Sequence, residues 1–360
     1  MKICLFGGSF NPIHKGHIKI AKEAINFLNL DKLIFIPCQK NPFKKNNYYV
    51  SGEQRIEMIN LVLENKMEIS DFEIKRQGFS YTIDTIKYFK NKYPNDELFF
   101  IIGSDNLTKL SKWKNIDQIV RMVKFVVFKR SNKINKTNIK KYNCLLINNQ
   151  IYNESSTEFL NGNFEVLSEK ILHYIGKEKI YFENILKNIL DEKRYLHSLH
   201  ARNFAIELAK VNNYDVNKAA FAALVHDIAK NIANNNKEKA RNIIKKYEPQ
   251  RSQIEDYKLH QEIGYIILKH IFNVEEEIAH AVRVHTSLDI NLNILDKIVY
   301  LADKLCQGRK YPGIQKTREI ALKNIDQGLK LVINQTILFN KEKGIIFTKE
   351  QEEIYEKWTK

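Results

Sequence analysis

Two groups of residues in this chain have the types and spacing for phosphate chemistry, and histidine is central to both. The first is the run Gly7-Gly8-Ser9-Phe10-Asn11-Pro12-Ile13-His14-Lys15-Gly16-His17, set directly behind the apolar stretch Ile3-Cys4-Leu5-Phe6. A short buried strand delivering a glycine turn lets backbone approach a phosphate chain closely, and a helix starting near Gly16 aims its first N–H groups at the same anions. His14 and His17 flank that turn. Neutral or cationic imidazoles donate hydrogen bonds to phosphate oxygens, and a cationic one adds charge where a transferring phosphoryl group needs it.

The second group lies in the other half of the chain, where seven of the ten histidines fall between His197 and His285. His226 and Asp227 are adjacent in Ala223-Leu224-Val225-His226-Asp227-Ile228-Ala229-Lys230, and the apolar neighbours predict burial of both. A buried imidazole beside a buried carboxylate is costly unless each has a partner, and a divalent cation satisfies both. His197 upstream and Asp303 downstream, in Tyr300-Leu301-Ala302-Asp303-Lys304, complete an H…HD…D set.

The elements that must position these residues change type along the chain. Apolar runs at 33–36, 98–102, 124–128 and 143–147 read as strands, separated by helical periods at 53–63 and 84–92. That alternation predicts an α/β fold with a doubly wound parallel sheet, whose ligands bind beyond the carboxyl ends of the strands. The glycine turn and Gly103 to Asp105 both fall at such ends and are expected to share a crevice. From about Glu183 strand signals vanish, and apolar positions recur with helical period through 203–211, 219–228 and 294–301, which predicts an all-α domain. The expected organisation is 1–182 and 183–360, with no Gly/Ser linker between. The lysine- and asparagine-rich stretch 131–141 reads as a solvated polar loop.

A length of 360 residues at 44% hydrophobic content suits two cores. No stretch approaches the roughly 20 apolar residues of a membrane helix, and the N-terminus runs into a strand without a signal-peptide pattern, so a cytoplasmic protein with no membrane partner is expected. Cys4, Cys38, Cys144 and Cys306 form no C-x-x-C pair, which argues against a zinc cage or disulfide framework. The net charge of +16 is spread over scattered lysines without interleaved aromatics, so no nucleic-acid partner is expected, only an attraction for nucleotide phosphates.

The first motif resembles the G-x-F-D-P-x-H-x-G-H signature of nucleotidyltransferases, with Asn11 where that family usually has Asp. Pro42-Phe43-Lys44 resembles the P-H-K segment of bacterial nicotinate-mononucleotide adenylyltransferases. Arg76-Gln77-Gly78-Phe79-Ser80-Tyr81-Thr82-Ile83-Asp84-Thr85 is similar to their R-x-G-x-S-Y-T-x-D-T stretch, and Ile102-Gly103-Ser104-Asp105 with Trp113 to their G-x-D…W block. The resemblance implies a Rossmann-like domain that transfers AMP from ATP to nicotinate mononucleotide with Mg2+, yielding deamido-NAD and pyrophosphate. Under it, His14, His17 and Lys44 share the triphosphate charge, with Gly7, Gly8, Ser9 and Phe10 lining the nucleotide. Gly103 and Asp105 position the nucleotides, Trp113 offers a stacking face, and Tyr81 and Thr82 contact the pyridine carboxylate. The family's closing S-S-T-x-x-R reads Ser155-Ser156-Thr157-Glu158-Phe159-Leu160 here, so a triphosphate-binding arginine is missing, and Phe43 replaces the histidine of P-H-K. That loss removes a charge-assisted contact of roughly 1.5–3 kcal/mol. Lys15, Lys44 and Lys45 are the candidate substitutes.

Arg194-Tyr195-Leu196-His197-Ser198-Leu199, the His226-Asp227 segment, Val284-His285-Thr286, and Asp303 with Gly308-Arg309-Lys310-Tyr311-Pro312-Gly313 resemble the HD superfamily of metal-dependent phosphohydrolases. They look most like the bacterial branch that splits diadenosine tetraphosphate, a dinucleoside polyphosphate, symmetrically into two ADP. The resemblance implies one metal on His197, His226, Asp227 and Asp303 and a second on His260, His285 and the bridging Asp227. Iron is the metal it favours, with manganese or zinc as alternatives. Lys230, one helical turn beyond His226, and Arg309 are expected to bind the phosphates that are not cleaved, while His200, His270 and His280 match no ligand position of the family. An alternative remains: the first domain, weakened at Leu160, senses nucleotide and regulates an HD phosphohydrolase of another nucleotide substrate.

Overall fold

Ile3, Cys4 and Leu5 are fully buried and Phe6 nearly so, because this run forms a central strand covered on both faces. The computed structural model describes residues 1–40, 50–251 and 253–360. Strands β1 (Lys2–Gly8), β2 (Lys32–Pro37), β3 (Met67–Ile69), β4 (Glu97–Gly103), β5 (Lys124–Phe128) and β6 (Leu145–Ile147) make one sheet in the order β3-β2-β1-β4-β5-β6. Every pairing is parallel. The order reverses direction at β1, which pairs with β2 on one side and β4 on the other, so the crevice opens beyond Gly8 and Gly103. β3 has only three residues, too few for an apolar pattern to reveal it.

The stretch 131–141 is not wholly a loop. Asn135 Oδ1 accepts from the Asn138 backbone N–H at 3.0 Å and starts a helix, Lys136–Lys141. Asparagine, which reads as loop composition, is here the N-cap.

The chain divides into two compact units, residues 1–159 with 163–171, and residues 160–162 with 172–360. The division falls inside the helix Glu169–Glu178, so residues 172–182 pack with the second unit rather than ending the first. Gly176 shows why: a Cβ there would collide with the Phe272 carbonyl oxygen, so the last turns of this helix lie directly on backbone of their own unit.

The second unit is helical throughout the described residues. The helix Glu192–Val211 packs on Val216–Val225 and on Ile294–Leu305, and Glu276–Val284 packs on Leu259–Ile266 and Ile294–Leu305. Histidines and aspartates far apart in sequence are thereby carried into one core. No helix among the described residues is long and apolar enough to cross a membrane.

Two candidate phosphate sites

In the first unit, β1 ends at Gly8 and the chain turns through Phe10, whose φ of +44° is left-handed. Such a backbone is costly for an aromatic residue, and packing holds it: Phe10 is 1% exposed, with Phe6 and Phe35 each 5.5 Å from its ring centroid and His17 at 4.9 Å. Gly8 is required there, since a Cβ would stand 2.8 Å from the Phe10 ring. His14 caps the helix Lys15–Leu28. Its backbone N–H donates to His17 Nδ1 at 3.2 Å, and the two rings stack with centroids 3.6 Å apart. A ring accepting at Nδ1 carries its proton on Nε2, which makes His17 a directed donor. Burial, then the charge of Arg130, pushes the His14 pKa down to about 3, so this imidazole is neutral. His14 Nδ1 has no hydrogen-bond partner among the described residues.

A cavity of about 560 Å³ takes in both histidines together with Gly7, Gly8, Ser9, Phe10, Tyr81, Thr82, Gly103, Asp105, Trp113, Ser155, Ser156 and Thr157. The segments flagged separately in the sequence therefore converge. Lys44, with Phe43 and Lys45, lies outside the described residues. Lys15 is directed elsewhere, its Nζ donating to the Glu165 carbonyl at 2.7 Å, and it does not line the cavity. Lys112, Lys114, Lys129 and Arg130 do. Arg130, unflagged in the sequence, lies 3.8 Å from Asp105, and its backbone N–H donates to Ser104 Oγ at 3.0 Å. The signal was available: Lys129 and Arg130 directly follow the carboxyl end of β5, and β5 pairs Phe128 with Gly103.

In the second unit two of the candidate ligands sit at helix ends. His226 and His285 are the C-cap residues of Val216–Val225 and Glu276–Val284. Each Nδ1–H donates to a carbonyl of its own last turn, to Ala223 O at 2.7 Å and Val282 O at 2.6 Å. The unsatisfied carbonyls of a helix C-terminus thus fix both tautomers and leave each Nε2 lone pair facing inward. His226 Nε2 lies 3.8 Å from Asp227 Oδ2 and 3.8 Å from Asp303 Oδ1. His197 Nε2 is 2.9 Å from Asp303 Oδ1, and His260 and His285 Nε2 are each 3.7 Å from Asp227 Oδ1. Two sets have ligand atoms all within 4.8 Å of one another: His197, His226 and Asp303, and His226, Asp227 and His285.

These residues fit a divalent cation. His226 Nε2 and Asp227 Oδ1 are buried without hydrogen-bond partners, which is costly unless something positive joins them. Burial lowers the His226 pKa to about 4 and puts His260 well below its usual range, so both imidazoles are neutral. Burial works against charge on Asp227 and Asp303, yet His226 in its charged form and Lys230 beside the first, and Lys304 beside the second, hold both carboxylates well below the usual range. Burial also opposes charge on His197, but its hydrogen bond with Asp303 prevails and pushes it up to about 9. Neutral His226 and His260 with ionised Asp227 and Asp303 are in the ligand states a divalent metal needs, whereas His197 must give up its proton to bind one.

A cavity of about 850 Å³ opens on Asp227 and Asp303 and is lined by Arg194, Lys230, Lys304 and Arg309. Lys230 Nζ stands 2.9 Å from His260 Nε2 and Arg309 Nη2 2.6 Å from Asp303 Oδ1. Arg194, 3.8 Å from Asp227, and Lys304, 2.7 Å from Asp303, were given no role by the sequence reading. His270 and His280 are paired elsewhere, with Glu248 at 2.9 Å and Asp296 at 3.0 Å, whereas His200 does line the cavity.

Residues 5–161 match the cytidylyltransferase-like family and residues 194–308 the HD domain. A protein of Mycoplasma pneumoniae named "Probable nicotinate-nucleotide adenylyltransferase/Ap4A hydrolase" is 34% identical over 349 residues, covering 93% of this chain and 98% of its own. The chain belongs to that two-domain enzyme family. A Mycoplasma genitalium protein of the same name is 35% identical over 86% of this chain and 88% of its own. A "Probable nicotinate-nucleotide adenylyltransferase" of Methylacidiphilum infernorum is 37% identical over 51% of this chain and 93% of its own. Among solved structures, a "predicted HD superfamily hydrolase involved in NAD metabolism" from Clostridium acetobutylicum shares 32% identity at a TM-score of 0.45, covering 51% of this chain and 96% of that one.

Two supports of the family's HD site fall outside the set read from the sequence. Cys306, fully buried, places Sγ 3.4 Å from His197 Nδ1 and so orients a ligand ring from behind. The helix Lys349–Thr359 lies beyond the residues matching the HD domain and braces the turn after His285. From it, Gln351 Nε2 donates to the Ser287 carbonyl at 2.8 Å. Gln261 Nε2 donates to Ser287 Oγ at 2.8 Å, and Thr286 Oγ1 lies 3.2 Å from His260 Nε2.

Proposed function

We propose that this is a cytoplasmic bifunctional enzyme acting on phosphoanhydrides in two separate sites. In the first, ATP and nicotinate mononucleotide react to give deamido-NAD. A phosphate oxygen of the mononucleotide attacks the α-phosphorus of ATP, the α–β P–O bond breaks, and pyrophosphate leaves. No covalent enzyme intermediate is needed, so catalysis is positioning and charge neutralisation. His17 donates from Nε2, the Gly7-Gly8 turn supplies backbone N–H groups, and Trp113 presents its face to the pyridine.

Arg130 is the cation that answers the charge missing at Leu160. Arg130→Ala is expected to raise KM for ATP about tenfold to a hundredfold with KM for nicotinate mononucleotide nearly unchanged, matching roughly 1.5–3 kcal/mol for one charge-assisted contact. Steady-state kinetics with each substrate varied in turn checks it, and an unchanged KM for ATP refutes it.

In the second site a dinucleoside polyphosphate, diadenosine tetraphosphate in this reading, is hydrolysed at its central anhydride to two ADP. His197, His226, Asp227 and Asp303 hold one divalent metal, and His260 and His285 with Asp227 hold a second. Iron suits this imidazole-rich set best, with manganese or zinc next. Bound there, the metals supply Lewis-acid activation of water and neutralise the polyphosphate. Arg194, Lys230, Lys304 and Arg309 bind phosphate oxygens, and Cys306 keeps His197 in register. The observation carrying this half is the unpartnered pair His226 Nε2 and Asp227 Oδ1, buried beneath a cavity lined by cations.

The test is metal analysis of the purified full chain beside two assays, one with ATP and nicotinate mononucleotide and one with diadenosine tetraphosphate. Deamido-NAD from the first and ADP alone from the second are expected. Hydrolysis without any dinucleotide synthesis would favour instead a first domain that senses nucleotide and regulates the hydrolase, the reading that the missing arginine at Leu160 supports.

A further inference from the structure

We propose that the turn around Tyr311 forms a second nucleotide subsite, which holds the half of a dinucleoside polyphosphate on the far side of the cleaved bond. The inference rests on the hydrolase reading of the second unit and extends it. Cleavage into two equal nucleotides requires that a nucleoside lie on each side of the ligand cluster. The cavity over Asp227 and Asp303 has a neighbour of about 530 Å³, and the two share Gln307, Gly308 and Arg309. Both volumes lie in the range of small-molecule sites, about 300–1,000 Å³.

The chemistry of the neighbouring cavity is that of an anion with a flat appendage. Arg309, Lys310 and Arg318 line it, and no carboxylate does. Arg309 forms the ridge between the two cavities, its Nη2 2.6 Å from Asp303 Oδ1 and its Nε 2.9 Å from the Asp303 carbonyl. A polyphosphate crossing from one cavity to the other therefore passes over a guanidinium already anchored to a metal-ligand position. Gly308, at φ +92°, turns the chain in a conformation that a side chain would strain. Arg318 fixes the floor, donating to the carbonyls of Leu305 at 2.6 Å and Cys306 at 2.8 Å. Beside it Tyr311, half-buried, is the aromatic in the lining, and an aromatic face stacks on any nucleobase. Arg309 to Arg318 lie past the residues matching the HD domain.

The experiment compares hydrolysis of diadenosine tetraphosphate with that of adenosine 5′-tetraphosphate, which has no second nucleoside, by the full metal-loaded chain. For Tyr311→Ala, KM for diadenosine tetraphosphate is expected to rise about tenfold, with kcat and the KM for adenosine tetraphosphate within twofold. Tyr311→Phe keeps the stacking face and restores the dinucleotide KM, while Lys310→Gln, on an exposed side chain, raises it for the dinucleotide alone. An equal change for both substrates, no change for either, or a Tyr311→Phe variant as impaired as Tyr311→Ala overturns the subsite. Failure of the unaltered chain to cleave either substrate overturns the hydrolase reading itself, a different result from any of these.

Discussion

Asp227→Asn is expected to lower hydrolysis of diadenosine tetraphosphate by at least about a thousandfold and to strip the purified chain of most of its divalent metal, leaving deamido-NAD synthesis within twofold. The size follows from position. Among the described residues Asp227 is the one carboxylate within 3.8 Å of three candidate ligand imidazoles, His226, His260 and His285. Asparagine preserves its shape but removes the negative charge, and several kcal/mol of transition-state charge stabilisation go with the metal, about 4 kcal/mol being a thousandfold. The effect stays local because the adenylyl-transfer cavity is lined only by residues of the other unit. Removing the carboxylate also leaves Lys230 and Arg194 less compensated, at 3.6 and 3.8 Å, so a modest fall in thermal midpoint accompanies it. Metal content and both rates, measured on one preparation, check the prediction. Hydrolysis that survives with metal lost would refute the assignment of Asp227.

His17→Ala is expected to cost adenylyl transfer about a hundredfold to a thousandfold in kcat while diadenosine tetraphosphate hydrolysis continues. Removing one preorganised donor from a transferring group is worth about 2.7–4 kcal/mol. His17 is preorganised: its Nδ1 accepts from the His14 backbone, its ring stacks on His14, and Phe10 packs on its edge at 4.9 Å. The ring is thus fixed in the cavity lining before substrate arrives. His14, with its pKa near 3, supplies shape and a neutral nitrogen rather than charge in the free enzyme. The decisive comparison is kcat against KM. A rise in KM for ATP with kcat intact would move His17 from transition-state stabilisation to ground-state binding. A thermal unfolding scan separates either outcome from loss of the helix start, since the same substitution removes a backbone contact at its cap.

Much of this was legible beforehand because the informative signals were local. The glycine turn behind an apolar run needs only neighbouring residues to be recognised, and Gly8 against the Phe10 ring makes that need physical. The His226-Asp227 pair in an apolar helix end predicted buried polar atoms in want of a cation, and those atoms are unpartnered. What escaped notice depended on distance in sequence. Arg130 reaches the first cavity because β5 lies in register beside β4, and Cys306 meets His197 across 109 positions. Lys15 looked available by proximity, but the carbonyl of Glu165, 150 residues away, takes its ammonium. The short helix at Lys136–Lys141 was hidden for another reason, since an asparagine cap and loop asparagines are the same letters.

The amino-acid sequence by itself determined the alternation of strands and helices, the change to an all-helical second half, and the residue types able to bind phosphate or metal. Periodicity, turn chemistry and the cost of burying polar groups act over a few residues at a time. Only the tertiary structure decided which cations face which cavity, which imidazole nitrogens are left as lone pairs, and that a helix from the far end of the chain steadies the turn beside His285. Those outcomes depend on packing between segments a hundred or more residues apart, where geometry rather than composition selects the contact.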